Sequence, residues 1–198
     1  MGRPLRICLP NYTYHVYSRC IEQRNLMIND YWKELLIETV KRSMVKYEFQ
    51  LIAYQIMDNH FHFIIKTLDD GETISKIMQY IKSRFAIQYN KINNRTGPFW
   101  NERFKDKIIE RSHNPSLYLC WLLWYLAYNP VHKNKTKNPR KYKYGCINAY
   151  LDENYKSQLN ITFHEYFLNL GDSFQERYKR FLYYEEIYQK KNLLYNSD

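Results

Sequence analysis

Residues 58–66 read DNHFHFIIK and decide how the chain folds. From His60 onward the pattern predicts a β-strand, in which successive side chains point to opposite faces. His60 and His62 then share one face, while Phe61 and Phe63 share the other, which is typical of a core-facing surface. Two neutral imidazoles can hold a divalent metal ion if a third ligand arrives from elsewhere. Taken alone, such a pair is more often two half-buried histidines, since short motifs give many false matches.

The segments on either side of this strand predict an α+β fold. Strands are predicted at residues 12–19, 49–57, from 60 onward and 104–110, and helices at 30–47, 73–93 and 115–130. In chain order, the first six of these elements are strand, helix, strand, strand, helix, strand. That order is typical of a ferredoxin-like antiparallel sheet with helices on one face. We expect Asp30 and Thr73 to begin the first two helices, and Pro130 to end the third.

The amino-acid composition indicates which class of binding partner to expect. The 198-residue chain has 30 Lys and Arg against 20 Asp and Glu, a net charge of +10, which favours nucleic acid over an anionic membrane. Its 21 tyrosines suit stacking against unpaired bases. The longest uncharged apolar run, residues 117–128, is shorter than the roughly 20 residues that cross a bilayer. With no recognisable signal peptide and no Cys-x-x-Cys pair, we expect a cytoplasmic protein with reduced thiols and no membrane partner.

The end of the third predicted helix carries a second candidate group. Tyr125 and Asn129 are four residues apart and therefore share one helix face. An Asn carbonyl oxygen can bind Mg²⁺ or Mn²⁺ beside imidazole, so Asn129 could complete the site begun by His60 and His62. A phenol held beside such a metal is suited to attack a phosphodiester. Among so many tyrosines, ordinary packing is the alternative role for Tyr125.

Other candidates for the same chemistry rank lower. Tyr128 is a rival nucleophile, because His132 follows it by four residues and is a possible metal ligand. Pro130 lies between them and is expected to break their helical register, which favours Tyr125. His15, on the first strand, could approach the site, although a structural role is preferred.

Three blocks of the sequence resemble motifs of the single-tyrosine HUH transposases, most closely the REP-associated tyrosine transposases. The blocks are MDNHFHF at 57–63, GPFWNERFK at 97–105 and YLAYNPV at 125–131. Their order and separation are similar to the family pattern over about residues 10–150. Each block alone is weak evidence for the resemblance, whereas the three blocks together are specific for the family pattern. One departure is Asp58, which stands where the family usually has Pro.

The resemblance implies an activity as well as a fold. Mg²⁺ or Mn²⁺ would be held by His60, His62 and Asn129. Tyr125 would cleave and rejoin single-stranded, hairpin-containing DNA through a 5′-phosphotyrosine intermediate. Residues 1–150 would form the catalytic domain. Residues 151–198 match the family less well, but amphipathic, Tyr-rich segments at 160–190 predict a helical C-terminal extension there. The resemblance allows either a monomer or a homodimer. The alternative is a non-catalytic single-stranded nucleic-acid-binding protein with the same fold, which would show no metal-dependent cleavage.

Basic residues expected to contact the DNA backbone lie on the second predicted helix, in the second block and in the arm after Pro130. They are Lys82, Arg84, Lys91, Arg103, Lys133, Lys135, Lys137 and Arg140. For the arm, a solvated linker is the alternative interpretation.

Overall fold

The computed structural model describes residues 7–195, which contain one four-stranded antiparallel sheet and five α-helices. The strands are β1 Thr13–Arg19, β2 Phe49–Ile56, β3 His60–Thr67 and β4 Lys105–Ile108. The helices are α1 Asp30–Lys46, α2 Ile74–Ile92, α3 Pro115–His132, α4 Glu165–Leu168 and α5 Phe174–Tyr195. The strands lie in the order β2-β3-β1-β4. This ferredoxin-like arrangement, followed by C-terminal helices, confirms the predicted fold class.

The chain divides into two compact units. The first comprises the described residues up to Leu51 together with Ile56–Ile108, and the second comprises Ile52–Gln55 with the described residues from Ile109 onward. The C-terminal helices α4 and α5 therefore belong to the same compact unit as α3. The predicted boundary at residue 150 separates a catalytic domain from an extension. The division between the two compact units falls at other residues, so this boundary stays a prediction about function.

The first unit has its core on the phenylalanine face of β3. Phe61 and Phe63 are fully buried and stack with ring centroids 4.4 Å apart. Both α1 and α2 bury apolar stripes at helical spacing, which include Leu36, Val40, Ile77, Ile81 and Phe85. Thr73 caps α2 as predicted, since its hydroxyl accepts a hydrogen bond from the Lys76 amide at 3.3 Å.

The turn between β2 and β3 contains a buried ion pair at the position where the resembling family usually has Pro. The Asp58 carboxylate lies 2.9 Å from the Lys33 ammonium, and both side chains are less than a tenth exposed. The Lys33 ammonium also donates to the Ile28 carbonyl at 3.0 Å. The Asp58 carbonyl accepts a hydrogen bond from the Met27 amide. Asp58 thus ties the turn before His60 to α1 and to the segment that precedes it.

The second unit packs around fully buried aromatic side chains. Trp124 on α3 stacks on Phe181 of α5 with centroids 4.9 Å apart, and its indole donates to the Phe181 carbonyl at 3.0 Å. The Tyr150 hydroxyl donates to the Ile52 carbonyl at 2.7 Å, while its ring packs on Phe167 of α4. The predicted helical segments of residues 160–190 are therefore part of this core.

Three local predictions need correction. The fourth strand is shorter than predicted and spans Lys105–Ile108. The N-cap of α1 is Asn29, whose side chain accepts from the Tyr31 amide, so Asp30 is the first helical residue. Pro130 does not end α3, which continues to His132. A proline near the C-terminal end removes one amide donor, and the Lys133 amide still bonds the Asn129 carbonyl at 3.2 Å.

Candidate functional site

The two histidines of the HxH motif share one face of β3, as predicted. Their ring centroids lie 5.1 Å apart and the rings are nearly perpendicular. Both side chains are 5% exposed. Burial lowers the pKa of His62 well below its ordinary value, and the neighbouring His15 and His60 lower it further. His62 is therefore neutral at pH 7, which is the state that binds metals.

A hydrogen bond fixes which nitrogen of His60 carries the proton. His60 Nδ1 lies 2.7 Å from Oδ1 of Asn59. The orientation of the Asn59 amide is itself determined, because its Nδ2 donates to the Gln23 carbonyl at 2.9 Å. Since Oδ1 can only accept, Nδ1 of His60 donates, and deprotonation of the ring would then leave the lone pair on Nε2. An oriented histidine of this kind is typical of metal sites.

His62 is oriented by the histidine on the next strand. Its Nδ1 lies 2.9 Å from Nε2 of His15, and the two rings stack with centroids 5.1 Å apart. If His62 donates in this contact, its Nε2 also carries a lone pair, as in His60. Burial, and then the positive charge of Lys107, lowers the pKa of His15 to about 4, so that His15 is neutral as well. The structural role predicted for His15 is thus to hold a neighbouring ring.

Tyr125 and Asn129 share one face of α3 in the second unit. The Nδ2 of Asn129 donates to the Tyr125 carbonyl at 3.3 Å, which leaves Oδ1 as the atom suited to bind a metal. The Tyr125 ring is half-buried and stacks on Trp121, with centroids 5.5 Å apart. The two residues predicted from the four-residue spacing therefore lie on one face of α3.

Tyr128 is held by contacts that do not suit a nucleophile. Its hydroxyl donates to the Glu185 carboxylate at 2.8 Å and accepts a hydrogen bond from Gln189. Burial, together with the bond to Glu185, raises the pKa of Tyr128 to about 12. The helical register between Tyr128 and His132 is not broken as expected. His132 is nevertheless occupied, because its Nε2 lies 2.8 Å from the Tyr188 hydroxyl. The preference for Tyr125 stays a prediction, which these contacts and the position of Tyr125 in the third block support. The expected break of the helix at Pro130 was wrong.

The predicted DNA-contacting residues differ in how they are engaged. In the first unit, Lys82 donates to the Glu102 carbonyl at 2.6 Å, whereas Arg84, Lys91 and Arg103 are exposed. In the second unit, Lys133, Lys135 and Lys137 are exposed. Arg140 forms a two-point ion pair with Glu185, at 2.5 and 3.1 Å, so this guanidinium has a structural use. The arm after α3 is thus partly anchored.

The imidazoles of His60 and His62 are ligands of a type that divalent metal ions accept. Within residues 7–195 there is no group of three or more His, Cys, Asp or Glu side chains placed to hold a metal ion, so an imidazole pair would need a ligand of another type. None of the helices in the same residues has the length and apolar character that crossing a membrane requires.

Sequence reasoning missed the orienting role of Asn59. Asn59 lies in the turn before β3, and its role depends on Gln23, a residue distant in the chain. Glu22 and Gln23 both adopt positive φ angles, of 53° and 56°, in the turn after β1 that presents this carbonyl. Two such residues in succession, neither of them glycine, leave no signal in the sequence that could have been read.

Comparison with known proteins identifies the family. Residues 8–117 match the model of the family described as transposase, IS200-like. This match spans more than half of the chain, and the protein belongs to the IS200-like transposase family. The matched segment includes the histidine pair and ends at Leu117, before Tyr125 and Asn129. No protein of curated function matches the chain in sequence.

A solved structure shows the same fold. The structure of a REP-associated tyrosine transposase bound to a REP hairpin superposes with a TM-score of 0.62 at 15% identity, covering 83% of this chain and 96% of that one. A more distant match, with a TM-score of 0.39 and 16% identity, is an inferred transposase from Deinococcus radiodurans R1, covering 54% and 83% of the two chains. The first likeness is one of fold, and it extends beyond the segment that the family model matches.

Proposed function

We propose that this protein is a metal-dependent single-tyrosine HUH transposase, which cleaves and rejoins hairpin-containing single-stranded DNA. The observation that carries the proposal is the orientation of the histidine pair. The Asn59 and His15 contacts hold the rings of two buried, adjacent imidazoles, in a member of the IS200-like transposase family. A purely structural pair of histidines has no need for two buried rings held in this way.

The residues that would hold Mg²⁺ or Mn²⁺ are His60, His62 and Asn129. A bound ion supplies charge that offsets the negative charge developing on the oxygens of the phosphate under attack. The Asn129 Nδ2 donates to the Tyr125 carbonyl, so Oδ1 is the atom that would bind the ion. Because Tyr125 lies one turn away on the same face, a ligand role for Asn129 would hold the phenol near the phosphate.

Tyr125 would act as the covalent nucleophile. Its phenolic oxygen forms a bond to phosphorus and loses its proton to water. The bond from phosphorus to the 3′ oxygen breaks, and that oxygen takes a proton to become a free 3′-hydroxyl. The 5′ phosphate stays on Tyr125. In the reverse sense, a 3′-hydroxyl attacks the phosphotyrosine and restores the phenol, so strands can be rejoined without ATP.

The proposed substrate is hairpin DNA with unpaired flanks, bound by a monomer or a homodimer. A net charge of +10 suits a polyanion, and the exposed cations Arg84, Lys91 and Lys133 can contact its backbone. The structural relative with the same fold is bound to a REP hairpin. We assign catalysis to residues 1–150 and leave 151–198 as an extension, whose helices support α3.

Covalent capture tests this function directly. Labelled hairpin oligonucleotides with unpaired flanks are incubated with the protein and Mn²⁺ or Mg²⁺, and a denaturant-resistant adduct is sought. We expect Tyr125→Phe and His60→Ala to abolish the adduct. Tyr128→Phe and His113→Ala serve as matched controls and should retain it, because Tyr128 bonds Glu185 and His113 is exposed.

Two results would contradict the proposal. An adduct that persists in Tyr125→Phe and disappears in Tyr128→Phe would transfer the nucleophile to Tyr128. Tight DNA binding with no metal-dependent cleavage of any hairpin would favour the alternative, a single-stranded nucleic-acid-binding protein of the same fold.

A further inference from the structure

A cavity of about 190 Å³ lies where β1 ends, within the first unit. Its walls come from the last residues of β1 and from the loop that leads into β4, and they include Tyr17, Arg19, Asn101, Arg103 and Lys105. The Asn101 amide donates to the Arg19 carbonyl at 2.9 Å, and the Ile21 amide donates to the Phe99 carbonyl at 2.8 Å. These backbone bonds tie the two walls together, so the cavity is a built feature of the fold.

The cavity adjoins the histidine pair. In the register of β1 and β3, Tyr17 is directly opposite His62, and Arg19 is directly opposite His60. Opposed residues of an antiparallel pair share one face, with Cβ atoms roughly 5 Å apart. The Tyr17 ring also stacks on His62, with centroids 5.5 Å apart. A group bound in the cavity would therefore be a close neighbour of a phosphate held at the histidines.

The charges on the cavity walls favour an anion. Arg19, Arg103 and Lys105 line it, against the single carboxylate of Glu102, which pairs with Lys105 at 3.3 Å. Among residues 7–195, no carboxylate pairs with Arg19 or Arg103. Two exposed guanidinium groups facing one small cavity offer forked donors whose geometry matches phosphate oxygens. The volume is suited to one phosphate group with its surrounding water.

We propose that this cavity binds the phosphate next to the one that is cleaved, with Arg19 and Arg103 as a clamp and Tyr17 as its wall. This inference rests on the proposed function, which supplies single-stranded DNA as the ligand. Its consequence is that the protein grips the strand at two consecutive positions, the reacting phosphate at the histidines and its neighbour at the arginines. The unpaired flank is thereby held in a fixed direction across the sheet.

Binding without cleavage tests the clamp. The probe is a labelled DNA hairpin with a randomised single-stranded flank on each side, and its affinity is measured in EDTA over a range of salt concentrations. We expect Arg19→Gln and Arg103→Gln each to weaken binding about tenfold. The slope of log affinity against log salt should fall by roughly 0.7, the value for one phosphate of a single strand. Arg42→Gln, an exposed arginine on α1, is the matched control and should leave both quantities unchanged.

A second measurement begins with the wild-type protein, and that part of it does not depend on how well the variants fold. Flank linkages are replaced one at a time by neutral methylphosphonates. One linkage should reduce wild-type affinity about tenfold, and the same replacement should have no effect in the Arg19→Gln/Arg103→Gln variant.

The clamp proposal would be wrong if both arginine variants bound DNA as tightly as the wild type. It would also be wrong if Arg42→Gln weakened binding equally, since the effect would then come from the overall positive charge of the protein. Absence of any linkage-specific effect in the wild type would overturn it too. Adduct formation by the wild type separates the two proposals. If the wild type forms an adduct and the arginine variants bind DNA with unchanged affinity, only the clamp is rejected. If the variants lose affinity but the wild type forms no adduct, only the catalysis is rejected.

Discussion

At the scale of single residues, the HxH motif could be predicted and its surroundings could not. Alternation along β3 was enough to place His60 and His62 on one face and the phenylalanines in the core. The proton positions depend on Asn59, Gln23 and His15, which come together only through folding. Asn59 connects the strained turn at Gln23 to His60, so we infer that it is a positioning residue.

Removal of the Asn59 amide should weaken metal binding without unfolding the protein. In Asn59→Ala, Nδ1 of His60 loses its acceptor, and the ring no longer has a fixed tautomer. We expect Mn²⁺ affinity, measured by calorimetric titration, to fall about 10- to 100-fold, as is usual for residues that orient a ligand. Asn59→Asp keeps an acceptor oxygen and should restore most of the affinity.

The exposed Asn154→Ala, in the second unit, is the control for a general effect of removing an amide. Equal Mn²⁺ affinity in Asn59→Ala and wild type would show that the hydrogen bond to His60 does not position it.

At the scale of elements, α3 shows why local rules fail at helix ends. Pro130 was expected to end the helix, yet the helix continues because the surrounding packing outweighs the loss of one hydrogen bond. The partners of α3 come from residues far along the chain, and Glu185 on α5 receives both the Tyr128 hydroxyl and the Arg140 guanidinium. Amphipathic patterning predicted the helical character of α5, but it gave no indication of this buried carboxylate.

Neutralising Glu185 should loosen the second unit. Glu185→Gln replaces a charged acceptor with an amide and removes the ion pair with Arg140. We expect the free energy of unfolding, measured with urea, to fall by about 1–2 kcal/mol, a value kept small because the Arg140 side chain is 37% exposed and screened by water. Glu186→Gln, at an exposed position on the same helix, should change it by less than about 0.5 kcal/mol. Identical urea midpoints for the two variants would contradict a structural role for Glu185.

At the scale of the whole molecule, the order of elements was predictable and the division into units was not. Alternation and helical spacing gave the ferredoxin-like order because each pattern is local. The grouping of α3 with α4, α5 and residues 52–55 of β2 depends on contacts such as Tyr150 with Ile52, which join distant parts of the chain. Family membership likewise rests on residues 8–117, while the candidate nucleophile lies beyond them.

Stability of the metal-free protein should fall as the pH is lowered through the histidine range. The folded-state pKa of His15 is lowered to about 4, from an ordinary value of 6.5 in the unfolded chain. Between these values the unfolded state binds a proton that the folded state does not, so stability is fully present above pH 6.5 and declines toward pH 4. Thermal melting in EDTA should show this decline, and His15→Gln should make it shallower.

His113→Gln, at an exposed position, is the matched control and should leave the pH dependence unchanged. Parallel pH profiles for His15→Gln and wild type would mean that His15 does not titrate in this way.

The ion pair beneath the HxH motif has a consequence for how this lineage can change. Asp58 replaces the proline usual in the resembling family, and its carboxylate is the closest one to the buried Lys33 ammonium. Asp58→Pro alone would leave that ammonium buried with the Asp30 carboxylate 3.9 Å away, and so would destabilise the turn that leads to His60. Positions 58 and 33 are therefore coupled, and Asp58→Pro should be tolerated better when Lys33 is also replaced by an uncharged residue.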